Sequence, residues 1–551
     1  MKDKEKWARD HALTPIKLET AHRALLDIIQ GMPVADAQKA YPLPDGSGYV
    51  AKHVLVAEYY NMVESEEIEE DPALLARIRM KPVRTLSGVT TVTVLTKPHP
   101  CPGDCIFCPT DVRMPKSYLP DEPGAARAFE NEFDPYRQVR ARIESLEAVG
   151  HPTDKIELLI LGGTWDAYPR DYQSWFIQRC LDAMNETEST GLADAQTQNE
   201  TGVHRNVGLV VETRPDRIHP AELAWLRQLG VTKIQMGAQS LDDEILEMNH
   251  RGHSAADTLT ATALLRAAAY KTVLHWMPNL LGATPHSDRE DFTRLWDGYC
   301  PDEIKIYPTQ LLETAELFRY WQEGKYHPYD MQMLIDMIAD LKPGVPAYCR
   351  INRIIRDIPS HHVMAGNRRT SLRQDVKQEM EQRGTVCRCI RCREVRGHQV
   401  DPEKLRLDDL TYDAAYAQEH FLSFVTPGDR IAGYLRLSLP DFFQPERRAR
   451  MPQDALNAHR QLVETLPDLA GAALIREVHV YGQSLGVGEE QHGAAQHIGL
   501  GTQLLETAEE IARAYGFERL AVISAIGTRL YYQGRGYERG ELYQVKEIAS
   551  R

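Results

Sequence analysis

Three cysteines in the stretch HPCPGDCIFCP are the first residues whose spacing could support chemistry. Cys101, Cys105 and Cys108 follow the pattern Cys-xxx-Cys-xx-Cys, and thiolates are the usual ligands of iron–sulfur clusters. Three close thiolates can hold three irons of a cubane and leave the fourth open to the amino and carboxylate groups of a ligand. Phe107 could pack against an aromatic part of that ligand. A zinc site that lacks its fourth ligand, or free thiols, are the alternatives.

A second group of thiols is formed by Cys387, Cys389 and Cys392. Three thiolates this close suit a tetrahedral zinc ion that is completed by one more ligand. Such a site would stabilise the fold of a segment that lacks a hydrophobic core of its own. Unliganded thiols in a surface loop are the alternative. The candidates for the fourth zinc ligand are Cys349, His361, His362 and His398.

A glycine-containing turn near the carboxyl end could bind a pyrophosphate. Glycines free backbone N–H groups to face an anion, and the dipole of the following helix adds to the attraction. An ordinary glycine-rich helix start is the alternative. Tyr531 and Tyr532 come after the next predicted strand, and a pair of core aromatics is the alternative to a role for them at the bound ligand. The turn consists of Gln496, His497, Ile498, Gly499, Leu500 and Gly501.

These groups need elements to position them, and the apolar pattern predicts which. Short apolar runs alternate with helix-like stretches, which favours parallel βαβ units that form a closed or partly closed barrel. Ligands of such a barrel bind at the carboxyl ends of the strands. The cysteine loop follows the first predicted strand, and Gly162, Gly163 and Thr164 follow the second. The six predicted strands are 89–95, 156–161, 207–211, 232–236, 272–277 and 303–307.

The predicted fold class is therefore α/β, with a partial (β/α)6 barrel, a helical segment before it and a mixed α+β domain after it. That last domain has predicted strands at 430–437, 472–480 and 520–526, and an amphipathic helix that Gly516 is placed to end. The predicted divisions are a helical segment at 1–80, the barrel at 81–349, a basic zinc-binding linker at 350–404 and the α+β domain at 405–551.

The formal net charge is −15, which by itself argues against a nucleic-acid binder. Between Arg350 and Arg396, however, twelve Lys and Arg stand against five acidic residues, a local net charge of +7. This excess predicts a surface that tracks phosphates, with a solvated loop as the alternative. Six of the nine cysteines fall in two clusters, which is typical of metal binding rather than of disulfides. With no apolar signal-peptide core and no long apolar run, the sequence predicts a cytoplasmic protein without a membrane span. The expected phosphate-binding arginines are Arg353, Arg356, Arg368, Arg369, Arg388 and Arg391.

The cysteine loop and the Gly-Gly-Thr segment resemble the radical S-adenosylmethionine superfamily, and the glycine turn resembles the GCN5-related N-acetyltransferase fold. Their combination in one chain resembles the catalytic subunit of Elongator and its stand-alone bacterial and archaeal relatives. Eukaryotic members have a longer gap between the first two cysteines than the three residues found here. The matching blocks run in order from KPVRTLSGV through ELLILGGTW, VETRPD, GAQSLDDEIL, NHRGH, EIKIYPT, RIIRDIP and CRCIRCREV to HIGLGTQLLETAEEIA and VISAIGTRLYYQGRGY.

This resemblance implies a tRNA uridine(34) acetyltransferase that makes 5-carboxymethyluridine with one 4Fe–4S cluster, S-adenosylmethionine, acetyl-CoA and zinc. A 5′-deoxyadenosyl radical would abstract hydrogen from the acetyl methyl group, the carbon radical would add to carbon 5 of the uracil ring, and thioester hydrolysis would release CoA. The resemblance implies tRNA as partner, needs no accessory subunit and is compatible with a homodimer.

The same resemblance implies roles for individual residues. Lys305, Tyr531 and Tyr532 are the expected catalytic residues, although a salt bridge at a strand end is the alternative for Lys305. Tyr307 and Arg214 are expected near the base at the barrel mouth. The expected cofactor-binding residues outside the cysteine loop and the glycine turn are Lys155, Gly162, Gly163, Thr164, Glu212, Gln239 and Tyr531.

The sequence is also compatible with two other functions. A protein lysine acetyltransferase with a structural iron–sulfur domain would acetylate peptides without S-adenosylmethionine. A tRNA methylthiolating radical enzyme would carry a further cluster in an N-terminal domain, but no cysteine precedes Cys101.

Overall fold

Two seven-stranded sheets, one all parallel and one mixed, organise the fold of the described residues. They belong to a computed structural model that describes residues 12–82, 85–396, 400–481 and 499–548. The parallel sheet forms an open barrel, and four helices precede it within the described residues, so the predicted α/β class with a helical start and a second mixed domain is confirmed.

The amino-terminal helices pack on a core of their own. Thr14 caps the first helix, its side chain accepting a hydrogen bond from the backbone N–H of Lys17. Leu25 and Ile28 are buried on the inner face of this helix, whereas Leu26 and Ile29 are 39% and 44% exposed. The helices are α1 Pro15–Ile29, α2 Val34–Ala40, α3 Lys52–Glu64 and α4 Pro72–Ile78.

All neighbouring strands of the first sheet pair in parallel, and its strands lie side by side in the same order as along the chain. The six predicted strands are all present. A seventh strand, Arg350–Arg353, lies in the segment that the sequence assigned to the linker. The apolar pattern does not predict this strand, because Ile351 is its one apolar residue and its one buried residue. The strands are β1 Thr90–Leu95, β2 Lys155–Leu161, β3 Arg205–Thr213, β4 Lys233–Gln239, β5 Lys271–Trp276, β6 Glu303–Ile306 and β8 Arg350–Arg353.

Helices follow most barrel strands and pack against their outer face. Within the described ranges, no helix combines the length and the apolar character needed to cross a bilayer. A small antiparallel pair, β7 Leu311–Leu312 and β9 Val363–Ala365, lies beside the barrel. The helices are α5 Pro123–Glu130, α6 Pro135–Glu147, α7 Arg170–Asn185, α8 Leu192–Asn199, α9 Pro220–Gln228, α10 Asp243–Met248, α11 Ala255–Ala267, α12 Pro285–Arg294, α13 Leu317–Gln322, α14 Met331–Leu341, α15 Leu372–Gln382 and α16 Ile390–Arg393.

The second sheet is antiparallel except for one parallel pair, β13 with β14. That pairing ends at Ile475 and Val522, and beyond it β13 continues on β12 alone, so a gap opens between the two strands. The elements are β10 Arg406–Ala414, β11 Ala417–Val425, β12 Ile431–Pro440, α17 Pro445–Arg448, α18 Gln453–Thr465, β13 Ala472–Val480, α19 Leu500–Ala514, β14 Arg519–Val522, α20 Arg529–Gln533, β15 Glu538–Arg539 and β16 Gln544–Glu547.

The two sheets share one hydrophobic core, and buried charges cross between them. Arg476 of β13 donates to both carboxylate oxygens of Asp302, just before β6, at 2.7 Å each. Arg436 of β12 lies 3.3 Å from the same carboxylate, and all three side chains are essentially inaccessible to solvent. Asp302 of the barrel thus reaches its two arginine partners only when the barrel and the second sheet are docked.

Candidate active site in the barrel and the adjoining cavity

The cysteine loop after β1 forms one wall of a cavity of about 570 Å³ at the carboxyl ends of the barrel strands. Cys101, Cys105 and Cys108 all line this cavity. The Sγ atom of Cys101 lies 3.4 Å from the Thr164 hydroxyl. A hydrogen bond from the Cys108 thiol lowers the pKa of the Cys105 thiol, and the charges of neighbouring arginines add to this against the effect of burial. The loop therefore presents a ready thiolate, the form that binds iron.

Two buried arginines lie behind this loop. Arg251 donates to the Sγ atom of Cys105 at 3.6 Å, and its backbone oxygen accepts a hydrogen bond from Arg214 at 2.8 Å. One terminal nitrogen of Arg214, Nη1, is buried without a hydrogen-bond partner and lies where a Cβ on Gly103 would be. Both guanidinium groups line the cavity, so an anionic cluster and a ligand carboxylate would meet positive charge and an unused donor there. These residues fit a 4Fe–4S cluster with S-adenosylmethionine.

We expect Arg251→Gln to lower the reduction potential of the reconstituted cluster. The substitution removes a positive charge and an N–H···S contact, both of which favour the more negative reduced form. The shift should be on the order of 60 mV, equivalent to about a tenfold change in a one-electron equilibrium. Redox titration followed by electron paramagnetic resonance measures it, with Arg251→Lys, which keeps the charge, as control. Equal potentials in the wild type and the Gln variant would contradict this role.

The segment after β2 brings backbone groups close to the cavity. Gly162 has φ +144°, and a Cβ there would collide with the Thr96 hydroxyl, so only glycine fits. Gly163 has φ +88° and lines the cavity with Thr164. Phe107, from the cysteine loop, is buried and also lines the cavity. Three of the predicted cofactor-binding residues, Phe107, Gly163 and Thr164, thus line one cavity, and Gly162 directly precedes two of them.

Alternate residues of β4 are polar and point inward. Lys233, Gln235 and Gln239 line the cavity, while Ile234 and Met236 between them lie in the hydrophobic core. This alternation is the sequence signal for a polar barrel interior, and a search for apolar runs does not detect it. Gln239 adopts φ +70°, and its buried side-chain oxygen has no hydrogen-bond partner.

Lys305 of β6 is buried in this interior and donates to the side-chain oxygen of Gln235. The same oxygen is 3.1 Å from Nε2 of His275, whose pKa burial lowers well below the usual value, so that the imidazole is neutral. Glu212 lies 4.0 Å from the Lys305 ammonium and accepts a hydrogen bond from Tyr118 at 2.7 Å. A fixed cation, a neutral imidazole and a carboxylate thus share the cavity. Sequence reasoning had not singled out Gln235, His275 or Tyr118.

Lys155 is placed differently from the other expected cofactor residues, because it is the first residue of β2, at the opposite end of the strand from Gly162. The six arginines that were expected to bind phosphates lie in three different parts of the structure. Arg353 and Arg356 line the barrel cavity, whereas Arg391 lines a second one. The remaining three lie on the exposed surface or in surface ion pairs: Arg368, Arg369 and Arg388.

The second cavity, of about 740 Å³, lies between the barrel floor, which is formed by the amino-terminal ends of the barrel strands, and the gap where β13 and β14 separate. Tyr532 lines it, while Tyr531 packs against the start of α19, under the guanidinium of Arg535 at 3.6 Å. A Cβ on Gly501 would lie 2.5 Å from the Tyr531 hydroxyl, so α19 needs glycine there. Gly499, with φ +73°, and Leu500 begin this helix. Gln496, His497 and Ile498 lie outside the described residues.

The second cysteine group is compact, with the Sγ atoms of Cys387, Cys389 and Cys392 all within 4.8 Å of one another. In a tetrahedral zinc site, sulfurs at about 2.3 Å from the metal are roughly 3.8 Å apart, so the three fit such a site. In the part of the chain that the structure describes, no fourth metal-binding side chain joins this group. His361 and His362 instead lie beside Asp121, and His398 is outside the described residues.

Residues 99–295 match the family described as the radical SAM superfamily, and residues 301–382 match its C-terminal domain. The tRNA uridine(34) acetyltransferase of Dehalococcoides mccartyi (strain CBDB1) is 42% identical over 475 residues, which cover 84% of this chain and 99% of that protein. Elongator complex protein 3 of Danio rerio is 34% identical, with 86% of this chain and 87% of that protein covered. A solved structure of the archaeal Methanocaldococcus infernus Elp3 with an N-terminal deletion is similar with TM-score 0.69 and 36% identity, over 84% of this chain and 99% of that chain.

A parallel barrel with three cysteines after its first strand, matched by the superfamily over that region, defines a radical S-adenosylmethionine protein. Such proteins carry a 4Fe–4S cluster and S-adenosylmethionine. The chain belongs to the family that comprises the tRNA uridine(34) acetyltransferases and Elongator complex protein 3.

Proposed function

We propose that this protein is a tRNA uridine(34) acetyltransferase that forms 5-carboxymethyluridine in tRNA from acetyl-CoA. Its relatives with 42% and 40% identity over most of the chain carry that name. When bound, the cluster and S-adenosylmethionine supply an organic radical, and the barrel residues position the reactants around it.

The observation that carries this proposal is the meeting of two cavities at the barrel floor. Thr91, Glu157, Lys233 and Asn352 line both the barrel cavity and the cavity at the second sheet. The reaction needs an acetyl group, held by one domain, to reach a radical that is made in the other. Two adjoining cavities beside one shared hydrophobic core provide such a meeting place, which a protein acetyltransferase would not require.

In the barrel, Lys305 is the proposed catalytic residue. Its ammonium is fixed by Gln235 and Glu212, so it can donate a hydrogen bond to a carbonyl oxygen without moving. Arg353 and Arg356 stand at the rim of the same cavity and can hold a phosphate of the anticodon loop. A uridine that is splayed out of its stack would then enter beside His275.

In the second domain, the proposed acetyl-CoA site is the gap between β13 and β14. The start of α19 at Gly499 and Leu500 faces its backbone N–H groups toward a pyrophosphate. Tyr532, which lines the adjoining cavity, is the proposed neighbour of the thioester, and Tyr531 supports α19 through Gly501. The cysteine group at 387–392 is the proposed zinc site, and we propose that the N-terminal helical segment contacts tRNA.

The function is tested with the isolated chain, purified without oxygen and reconstituted with iron and sulfide. It is incubated with unmodified tRNA, acetyl-CoA, S-adenosylmethionine and a reductant, and the nucleosides are analysed by mass spectrometry. We expect carboxymethyluridine only in the complete mixture. Acetylation of a lysine peptide without S-adenosylmethionine, and no modified uridine, would support the lysine acetyltransferase alternative instead.

We expect Gly499→Glu to weaken acetyl-CoA binding at least about tenfold, because it puts a negative charge against the pyrophosphate at a few ångströms. Among the residues that the structure describes, none lies within 4 Å of a Cβ at this position, so the left-handed backbone is the other constraint. Gly499→Asn is the matched control, since Asn tolerates that backbone and adds no charge. Isothermal titration with acetyl-CoA separates the two effects. Equal weakening by both variants would attribute the loss to the backbone.

A further inference from the structure

Two consecutive histidines share one carboxylate at the rim of the barrel. Nε2 of His361 and Nε2 of His362 each lie 2.8 Å from the carboxylate of Asp121, and the two rings are 4.2 Å apart. The histidines come from the 3₁₀ turn Ser360–His362 and the aspartate from the turn before α5, 241 positions away for His362. One potential ligand atom from each of the three side chains lies within 4.8 Å of the others.

We propose that Asp121, His361 and His362 bind one divalent transition-metal ion, of which zinc is the expected example. Two imidazoles and a carboxylate are a common ligand set for such ions, at about 2.0–2.2 Å for zinc. Without a metal, both rings can only turn N–H groups to the same carboxylate. With a metal, both lone pairs and the carboxylate oxygen face one cation. This site is distinct from the cysteine group, to which sequence reasoning had assigned both histidines as candidate ligands.

The position of the site gives the metal a structural role. β1 and β8 are the two edges of the open barrel, and the segments that carry Asp121 and the histidines follow those two edges. Arg356 already links the same segments, because it donates to the Ser117 hydroxyl at 2.8 Å and pairs with Glu122. A metal at Asp121 would link the two edges of the open barrel a second time, beside residues that line the barrel cavity.

The metal would also change the charge at this rim. Asp121 and two neutral histidines carry a net charge of −1, and a divalent ion makes it +1. Three protein ligands leave at least one coordination position to solvent, because the side chains of Asp121 and His361 are 41% and 67% exposed. A water molecule or a phosphate oxygen can take that position. Metal binding itself does not depend on the proposed function.

The test is Co²⁺ titration of the untagged full chain whose cluster and cysteine sites have first been filled. We expect one further equivalent, with the weak visible bands of nitrogen and oxygen ligands and no sulfur-to-cobalt charge-transfer band. Removing a ligand in His362→Ala or Asp121→Asn should weaken this binding at least about 100-fold. His286→Ala is the matched control, since His286 is exposed and lies beside a single carboxylate, Glu290, at 3.4 Å.

Zinc uptake in equilibrium dialysis gives an independent count, and circular dichroism checks that the exposed substitutions leave the fold intact. Retained uptake in His286→Ala together with loss in both site variants supports the proposal. Three outcomes would overturn it. They are no additional metal up to about 1 mM, unchanged binding in the double variant of His361 and His362, and an added equivalent that shows thiolate charge transfer.

Discussion

Replacing Cys105 by alanine is expected to abolish formation of carboxymethyluridine and to remove most of the iron. Cys105 is the buried middle thiol of the loop, with Arg251 and Cys108 hydrogen-bonded to it. Arginine does not bind iron and Cys108 is itself an expected iron ligand, so neither supplies the missing thiolate. Without the cluster no radical forms, and the reaction returns to its uncatalysed rate, at least about 10⁶-fold slower. Iron analysis and visible absorption measure the cluster, and nucleoside mass spectrometry measures the product.

Cys180→Ala is the matched control for this prediction. Cys180 is a fully buried thiol in α7, where it packs in the hydrophobic core of the barrel. Its replacement should cost some stability and leave the iron content unchanged. Acetyl-CoA affinity should be unaffected in both variants, because the second cavity is built by other residues. Full modifying activity in Cys105→Ala would refute the assignment of the cluster to this loop.

The barrel strands were predictable because their outward faces are apolar and pack under helices. The seventh strand was not, since its four residues RINR contain one apolar side chain. What makes it a strand is backbone pairing with β6, in the register Glu303 with Arg350 and Ile304 with Ile351. The half-buried charge of Arg350 pairs with Glu394, a partner that no local pattern identifies.

In the candidate site, too, features that are local in sequence were predictable and contacts between distant residues were not. The two cysteine groups and the glycine turn are local in sequence, so spacing alone predicted them. Arg251 and its thiolate partner are 146 positions apart, and Asp121 meets His362 across 241 positions. Only the closing of the barrel brings such pairs together. The polar face of β4 is an intermediate case, because its alternation is visible in KIQMGAQ once the strand is known to face a cavity.

The largest loss of stability is expected for Asp302→Asn, at the junction of the two sheets. Burial disfavours the charged carboxylate, yet Arg476 and Arg436 hold the pKa of Asp302 well below its usual value. The carboxylate also accepts a hydrogen bond from the Thr272 backbone N–H at 2.8 Å. Asparagine removes the charge and turns an NH₂ group toward donors, so that the buried guanidinium groups of Arg476 and Arg436 each lose one of two carboxylate partners and keep only Glu419 and Glu477, respectively.

Breaking a buried pair of this kind costs about 3–5 kcal/mol, because the remaining charge has no water around it. The loss should appear as a lower urea concentration at the unfolding midpoint, followed by circular dichroism. Asp401→Asn provides the comparison, since it breaks an exposed pair with Lys404 at 2.8 Å and should shift the midpoint little. The same small shift in both variants would mean that Arg476 and Arg436 keep enough partners in Glu419 and Glu477, and that the junction does not depend on Asp302.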